Sequence, residues 1–373
     1  MVGSVTLDLA LGDQHSIILR QDGSVWSTSI SIFTSSRGHG KLFERVISEG
    51  AIAIAAGPDF SMVIKRDGSL WGAGRNYRGQ LGDGTVIKKT KFTYLRMIPG
   101  AKAVVVGGGH SMVLTRKGDV FITGWNKYGQ LGDASPANCR TRFGLSPSAS
   151  QSVAVAAGDM HSIVLKRDGS VWAAGRNDNG QLGDGSYNTQ RSFVKVIPRH
   201  GLFIAAGGDH SLVVKQDGSV WATGRNEYGQ LGDGSLSDRT TYVLCYMMSK
   251  GAKTVAAGTH HSLILMTDGD VWAAGYNRHG QFGIGWTTNS RVFVQVMSGG
   301  AVAITVGHSC SMVIKQDGSI WAAGSNEQGL FGDNSTISTK TFVRLEPQFH
   351  GKRTDAITHT WLIVAAVLVF FEF

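Results

Sequence analysis

One glycine keeps returning along this chain. Starting from Gly23, the same position recurs as Gly68, Gly118, Gly169, Gly218, Gly269 and Gly318, at spacings of 45, 50, 51, 49, 51 and 49 residues. A period near 50 is the signature of a propeller, a solenoid or an array. The unit from Val153 to Pro198 shows what is repeated: VAVAAG, then DMHSIVLKRDGSVWAAG, then RNDNGQLGDGS, then YNTQRSFVKVIP. It holds three short apolar runs and a fourth, FVKVI, with alternating character, each the length of a strand. The second and third runs flank Asp-Gly, a hairpin signal for which the spacing predicts a type I′ turn. Six units carry Asp-Gly there, and the third has Lys117-Gly118. No segment shows a 3.6-residue apolar period, so helices should be few.

Four short strands in each of seven units predict an all-β fold, a seven-bladed β-propeller with antiparallel blades. A lone four-stranded sheet cannot bury both faces, whereas radial packing covers each face with a neighbour. The units fall at about 1–50, 51–100, 101–150, 151–200, 201–250, 251–300 and 301–350. Glycine is the compositional oddity, at 51 of 373 residues, with only six prolines, as many tight turns require. The eleven apolar residues from Trp361 to Phe371 are too few to cross a bilayer as a helix. Their likeness to the start of a unit predicts that segment 351–373 is a strand closing the ring beside the N-terminal segment.

An aromatic ring occupies one position in every unit: Trp26, Trp71, Phe121, Trp172, Trp221, Trp272 and Trp321. Its expected role is structural, a large ring filling the seam between blades. His15, His110, His161, His210 and His261 stand in GxxHS, with Phe60 and Cys310 in the other two units. A position that accepts phenylalanine is not a metal ligand set, so these histidines are expected to hydrogen-bond within the fold. The asparagines Asn76, Asn126, Asn177, Asn226, Asn277 and Asn326 of the GxNxxGQLG loop are expected to fix its turns through their side chains. An EF-hand order of ligands is absent, as are the phosphate loop, the nucleophile elbow and HExxH. The sequence therefore assigns no catalytic residue, no metal and no cofactor, and the expectation is a protein that is not an enzyme.

Between the glycine and the asparagine of GxN stand Arg75, Trp125, Arg176, Arg225, Tyr276 and Ser325. These positions vary where the frame does not, and Arg, Trp and Tyr are enriched at binding hot spots. They form the candidate contact surface, on one end of the propeller. The competing expectation is that the arginines pair with neighbouring carboxylates such as Asp178 or Glu227. The formal net charge is +9 and the densest cationic patch is Lys88, Lys89, Lys91 and Arg96. That patch reads first as a solvated face and second as an acidic or phosphate contact. Three scattered cysteines, Cys139, Cys245 and Cys310, suit a reducing compartment. The N-terminus lacks the pattern of a signal peptide.

The segment HSIVLKRDGSVWAAGRNDNGQLGDGS, repeated at this period, resembles the repeats of the regulator of chromosome condensation family. The pairing of GxNxxGQLG with upstream GxxHS and DGxVW distinguishes it from WD repeats, and the match covers nearly the whole chain. The resemblance implies a seven-bladed propeller and a range of roles: nucleotide exchange on the small GTPase Ran, chromatin binding, substrate domains of ubiquitin ligases, light sensing in plants, and interaction scaffolds. The exchange factor of this family has a basic N-terminal arm and a β-wedge inserted in one blade, and neither has a counterpart among these nearly equal units. The plant light sensor's GWRHT segments are also missing. The expectation is thus a monomeric scaffold for a protein partner, cytoplasmic or nuclear. A Ran-like GTPase is the alternative partner, and chromatin or nucleic acid a weaker one.

Overall fold

A computed structural model describes residues 6–28 and 42–347. They form seven four-stranded antiparallel sheets, each made of four consecutive strands. Blade four shows the plan: Ser152–Ala157, His161–Lys166, Val171–Gly175 and Gln190–Ile197, hydrogen-bonded in that order. The first strand of each blade lines a central channel and the fourth lies at the rim. Among the described residues the one departure from strands and turns is a 3₁₀ turn at Pro147–Ala149.

Each seam between blades is an apolar layer. Blades four and five share Ala154, Ile163, Leu165, Val171 and Val213, and blades seven and one share Met312, Ile314, Leu9, Ile18 and Phe43. The ring is therefore closed by packing between its first and last blades. The loop after the asparagine also reaches across: Asp184 forms a β-bridge with Thr241 of the next blade, and Asp333 of blade seven one with Leu42 of blade one. The predicted closing strand, 351–373, lies outside the described residues, as does the segment 29–41 that replaces the glycine loop of unit one.

The central hairpins depart from the predicted turn type. In blade four, Gly169 N donates to Lys166 O at 3.0 Å and Lys166 N to Ser170 O at 2.9 Å. Gly169 has φ of +78°, while Asp168 is not among the residues with positive φ. This is a three-residue loop, a type I turn closed by a left-handed glycine, and not the type I′ turn, which needs positive φ at both central residues. The aspartate has a different task. Asp168 Oδ1 accepts from Ser170 N and Ser170 Oγ, at 2.9 and 2.6 Å, and Ser170 Oγ accepts from Trp172 Nε1 at 2.9 Å. The motif DGSVW is thus a clamp that turns the chain and fixes the indole. Ser219 and Trp221 repeat it, as do Ser319 and Trp321.

The aromatic position does lie at the seams, but incompletely buried. Trp172 packs on the layer shared by blades three and four, and Trp272 on that of blades five and six. Trp26 is buried, whereas Trp71, Trp172, Trp221, Trp272 and Trp321 are half-buried. Lysines cover outer faces: Lys166 lies 4.2 Å from the Trp172 ring centre and Lys215 3.5 Å from that of Trp221. Half-burial lowers the expected cost of truncation below that of a core tryptophan. Trp172→Ala should lose about 2–3 kcal/mol of stability in denaturant titration, short of the roughly 3–5 kcal/mol typical of a fully buried ring.

The histidines link neighbouring blades. His110, His161, His210 and His261 place Nε2 at 2.8, 2.9, 2.8 and 3.0 Å from Ser162, Ser211, Ser262 and Ser311 of the following blade; His15 meets Ser61 in the same way. The serine hydroxyls donate onward to main-chain carbonyls, Ser162 to Gln130, Ser211 to Gln181 and Ser262 to Gln230, each at 2.7 Å. A serine that donates there accepts from the ring, so His110, His161 and His210 are protonated at Nε2, and burial, which lowers their pKa, keeps them neutral at pH 7. Among the described residues the buried Nδ1 atoms of His110, His161, His210 and His261 have no hydrogen-bond partner.

Candidate partner-binding rim

The GxN loops all leave the third strand at the same end of the propeller. Asn177 fixes the loop from inside: its Oδ1 accepts from Leu182 N at 3.0 Å, and its Nδ2 donates to Asp184 Oδ1, Ser186 O and Asn188 O at 3.0, 2.9 and 3.1 Å. The Asn residues of all six such loops are buried. The residue before each asparagine is thereby held at the surface beside the channel mouth. Arg75 is exposed, and Trp125, Arg176, Arg225, Tyr276 and Ser325 are half-buried.

Four of these positions, Trp125, Arg176, Arg225 and Tyr276, join a band that runs from blade two to blade seven, with Arg75 beside its start. Arg75 pairs with Asp59 at 2.9 Å. Arg78 stacks 3.9 Å from the Trp125 ring centre, and Trp125 meets Tyr128 edge-on at 6.0 Å. The guanidinium of Arg176 lies 5.7 Å from the Tyr128 ring. Arg176 pairs with Asp178 at 2.8 Å and approaches Asp209 at 3.6 Å. Arg225 reaches the other oxygen of Asp209 at 3.7 Å and pairs with Glu227 at 2.6 Å. Tyr228 meets Tyr276 at 4.9 Å and His260 at 5.2 Å, and His260 lies 6.2 Å from His308 of blade seven. The carboxylate pairs expected for the arginines are thus present, and Asp209 ties two of them together. The hydrogen bond to Asp178 raises the pKa of Arg176 further, and that to Glu227 does the same for Arg225.

The cationic patch does not act as one field. Lys89 pairs with Asp83 at 2.7 Å, and Arg96 donates to the carbonyl of Phe143 at 2.8 Å. Lys88 is half-buried and Lys91 exposed. Sequence reasoning missed half of the rim: Arg78, Tyr128 and Tyr228 stand two residues after the asparagine, Asp209 and His260 just before the HS step, and Asp59 just before its blade-two counterpart Phe60-Ser61. Their signal was positional variation, the same that marked the GxN residues. Among the described residues no His, Cys, Asp and Glu group is arranged to hold a metal ion, and no helix is long and apolar enough to cross a membrane.

Comparison with known proteins agrees with this architecture. Models of the regulator of chromosome condensation (RCC1) repeat match residues 67–114, 117–165, 168–214 and 217–265, and a second form of the repeat matches 51–80, 101–130, 153–181, 203–230 and 252–281. Among solved structures, human WBSCR16 is 23% identical with a TM-score of 0.73, over 82% of this chain and 84% of that one. Prp20p from Saccharomyces cerevisiae, described with its binding to Gsp1p and histones, is 20% identical with a TM-score of 0.68, over 79% and 76%. Yeast RCC1 (Prp20) bound to Kap60 gives 18% and 0.72, over 93% and 85%. With seven four-stranded blades built on these repeats, the chain belongs to the regulator of chromosome condensation (RCC1) repeat family.

Proposed function

We propose that this protein is an interaction scaffold whose protein partner docks on the GxN end of the propeller. The observation that carries this reading is the band of Arg, Trp, Tyr and His side chains crossing every seam from blade two to blade seven. Arginine and aromatic side chains held by neighbours lose little conformational freedom on binding, which is what hot spots require. The ion pairs leave the guanidinium edges available at half-exposed positions, and surface pairs of this kind contribute little to stability. Arg75, Trp125, Arg176, Arg225 and Tyr276 are the proposed contacts, with Asp209 holding two of the arginines in register. Lys88 and Lys91 would extend the surface along blade two. In this reading the propeller acts as a monomer in the cytoplasm or nucleus and its partner is a protein.

The combined substitution Arg176→Glu and Arg225→Glu places two new acids beside Asp178, Asp209 and Glu227. It should abolish capture of the partner from native lysate, followed by mass spectrometry, while the melting temperature moves by only a few degrees. Undiminished capture would remove the rim as the contact.

Exchange activity on a Ran-like GTPase is a second reading, supported by the fold shared with Prp20p, which is described with Gsp1p. Acceleration of fluorescent nucleotide release from Ran and its relatives would support it, and a flat trace across the set would discard it.

A further inference from the structure

The channel on the propeller axis holds a cavity of about 240 Å³. Its wall is the row of first strands, whose side chains are mostly Ala, Val and Ile. Among the described residues one lining residue is ionisable, Asp8 of the strand Thr6–Leu11. Strand register identifies its counterparts: Ala53, Ala103, Ala154, Phe203, Thr254 and Ala303. The fold is therefore built at this position without a carboxyl in six blades out of seven. Oδ1 of Asp8 accepts from Leu9 N at 2.8 Å, and among the described residues the carboxyl has no cationic partner. Enclosure pushes its pKa up to about 7. A carboxylate in an apolar enclosure is costly without a counter-charge.

Three residues farther, roughly 10 Å on at the usual rise per residue, the strand ends at Leu11, and the turn beyond it lies at the GxN mouth. There Asp13 is exposed and Asp159 half-buried. Burial first, then the nearby Asp209 and Asp13 carboxyls, push Asp159 up to about 6 against the Arg176 guanidinium, while burial and Asp59 raise Asp13 against the neighbouring His308. A cation approaching the channel thus meets carboxyls interspersed with the paired arginines Arg75, Arg176 and Arg225 first, apolar wall next, and a lone carboxyl last. We infer that the central channel is a binding site for a small alkylammonium, its ammonium paired with Asp8 and its alkyl chain against the alanine and valine walls. A four-carbon amine fits the volume, as would the end of a lysine-like side chain.

Binding leaves the ammonium its proton and, near pH 7, releases the proton of Asp8 to the buffer. The test is calorimetric titration of the full chain with n-butylammonium chloride at pH 7 and pH 8, with n-butanol as the neutral control. Expected are saturable binding of the amine and at least tenfold weaker binding of the alcohol. At pH 7 the heat should depend on the ionisation enthalpy of the buffer. Asp8→Ala and Asp8→Asn should weaken the amine at least tenfold, while the pair Asp13→Asn and Asp159→Asn should keep it within about threefold. Without amine, Asp8→Ala should melt above the parent at pH 8, since an unpaired enclosed charge is gone. No saturable heat, equal binding of n-butanol, unchanged affinity in the Asp8 variants, or a lower melting temperature for Asp8→Ala would each overturn the assignment.

Discussion

Taking the protein from pH 6 to pH 4 should remove about 8 kcal/mol of folding stability, enough to unfold it. The cause is the set of histidines at the seams. Burial lowers the pKa of His15 and His110 to about 4, and of His161, His210 and His261 to about 3. In the unfolded chain each returns to about 6.5. Between these values the unfolded state binds more protons, so stability is present above pH 6.5 and is lost as the pH falls. Each histidine contributes a slope of about 1.4 kcal/mol per pH unit. Asp8 and Asp159 oppose this, because their raised values make the folded state bind the extra proton as the pH falls below 7 and 6. Five histidines against two carboxyls leave a net of three protons, hence about 4 kcal/mol per pH unit over the window. Denaturant titrations at half-unit steps from pH 7.5 would measure it. His161→Phe, which copies the residue blade two carries as Phe60, should flatten the slope by about 1.4 kcal/mol per unit. A profile level from pH 6.5 to 4.5 would show that the imidazoles charge without opening the seams.

The same histidines mark the boundary of what could be read from the chain. Seven units of four strands were legible because each unit solves one local problem with the same residues, and a 50-residue period survives substitution. The buried, hydrogen-bonded state of His161 was legible too, since Phe60 and Cys310 exclude a shared ligand role. Its partner was not: Ser211 lies 50 residues on and becomes a neighbour only through blade packing. The turn at Asp168-Gly169 was misread for a local reason. Gly alone takes positive φ there, and the aspartate is spent on Ser170 and the indole, a three-residue arrangement that the dipeptide does not distinguish from type I′. The rim was half visible. Arg176 and Arg225 declared themselves by variation, but Asp209, which touches both, sits in a different motif of blade five. Asp8 could not be recognised at all, because its place in the channel wall depends on a bulge between Thr6 and Asp8 that sets the register.

Removing the amide of Asn177 should cost more than its single side chain suggests. Asn177→Ala leaves Leu182 N without its acceptor at a buried site and deprives Asp184, Ser186 and Asn188 of a donor. A buried group left unsatisfied costs about 1–3 kcal/mol, and the vacated volume adds to it, so a loss of about 3–4 kcal/mol is expected. The loop it holds also carries Asp184, which bridges to Thr241 of the next blade, and Gly183, packed against Tyr242. Loosening the loop therefore weakens the seam between blades four and five as well as blade four itself. Asn177→Asp separates the two halves of the amide. It keeps the acceptor for Leu182 N but sets a carboxylate where Nδ2 lay 3.0 Å from Asp184. Although burial opposes its charge, Asp184 is held below the usual carboxylate range by hydrogen bonds from Gln190 and Ser186, so two like charges would face each other in the loop. At pH 7 the aspartate variant should then be at least as unstable as the alanine one, whereas Ser186→Ala, which removes a hydroxyl 3.5 Å from Nδ2 while leaving the carbonyl acceptor, should cost about 1 kcal/mol. Denaturant midpoints of the three variants give the order directly. If Asn177→Asp proves as stable as the parent, the donor half of the amide is dispensable, and the asparagine of GxN holds its loop through Leu182 alone.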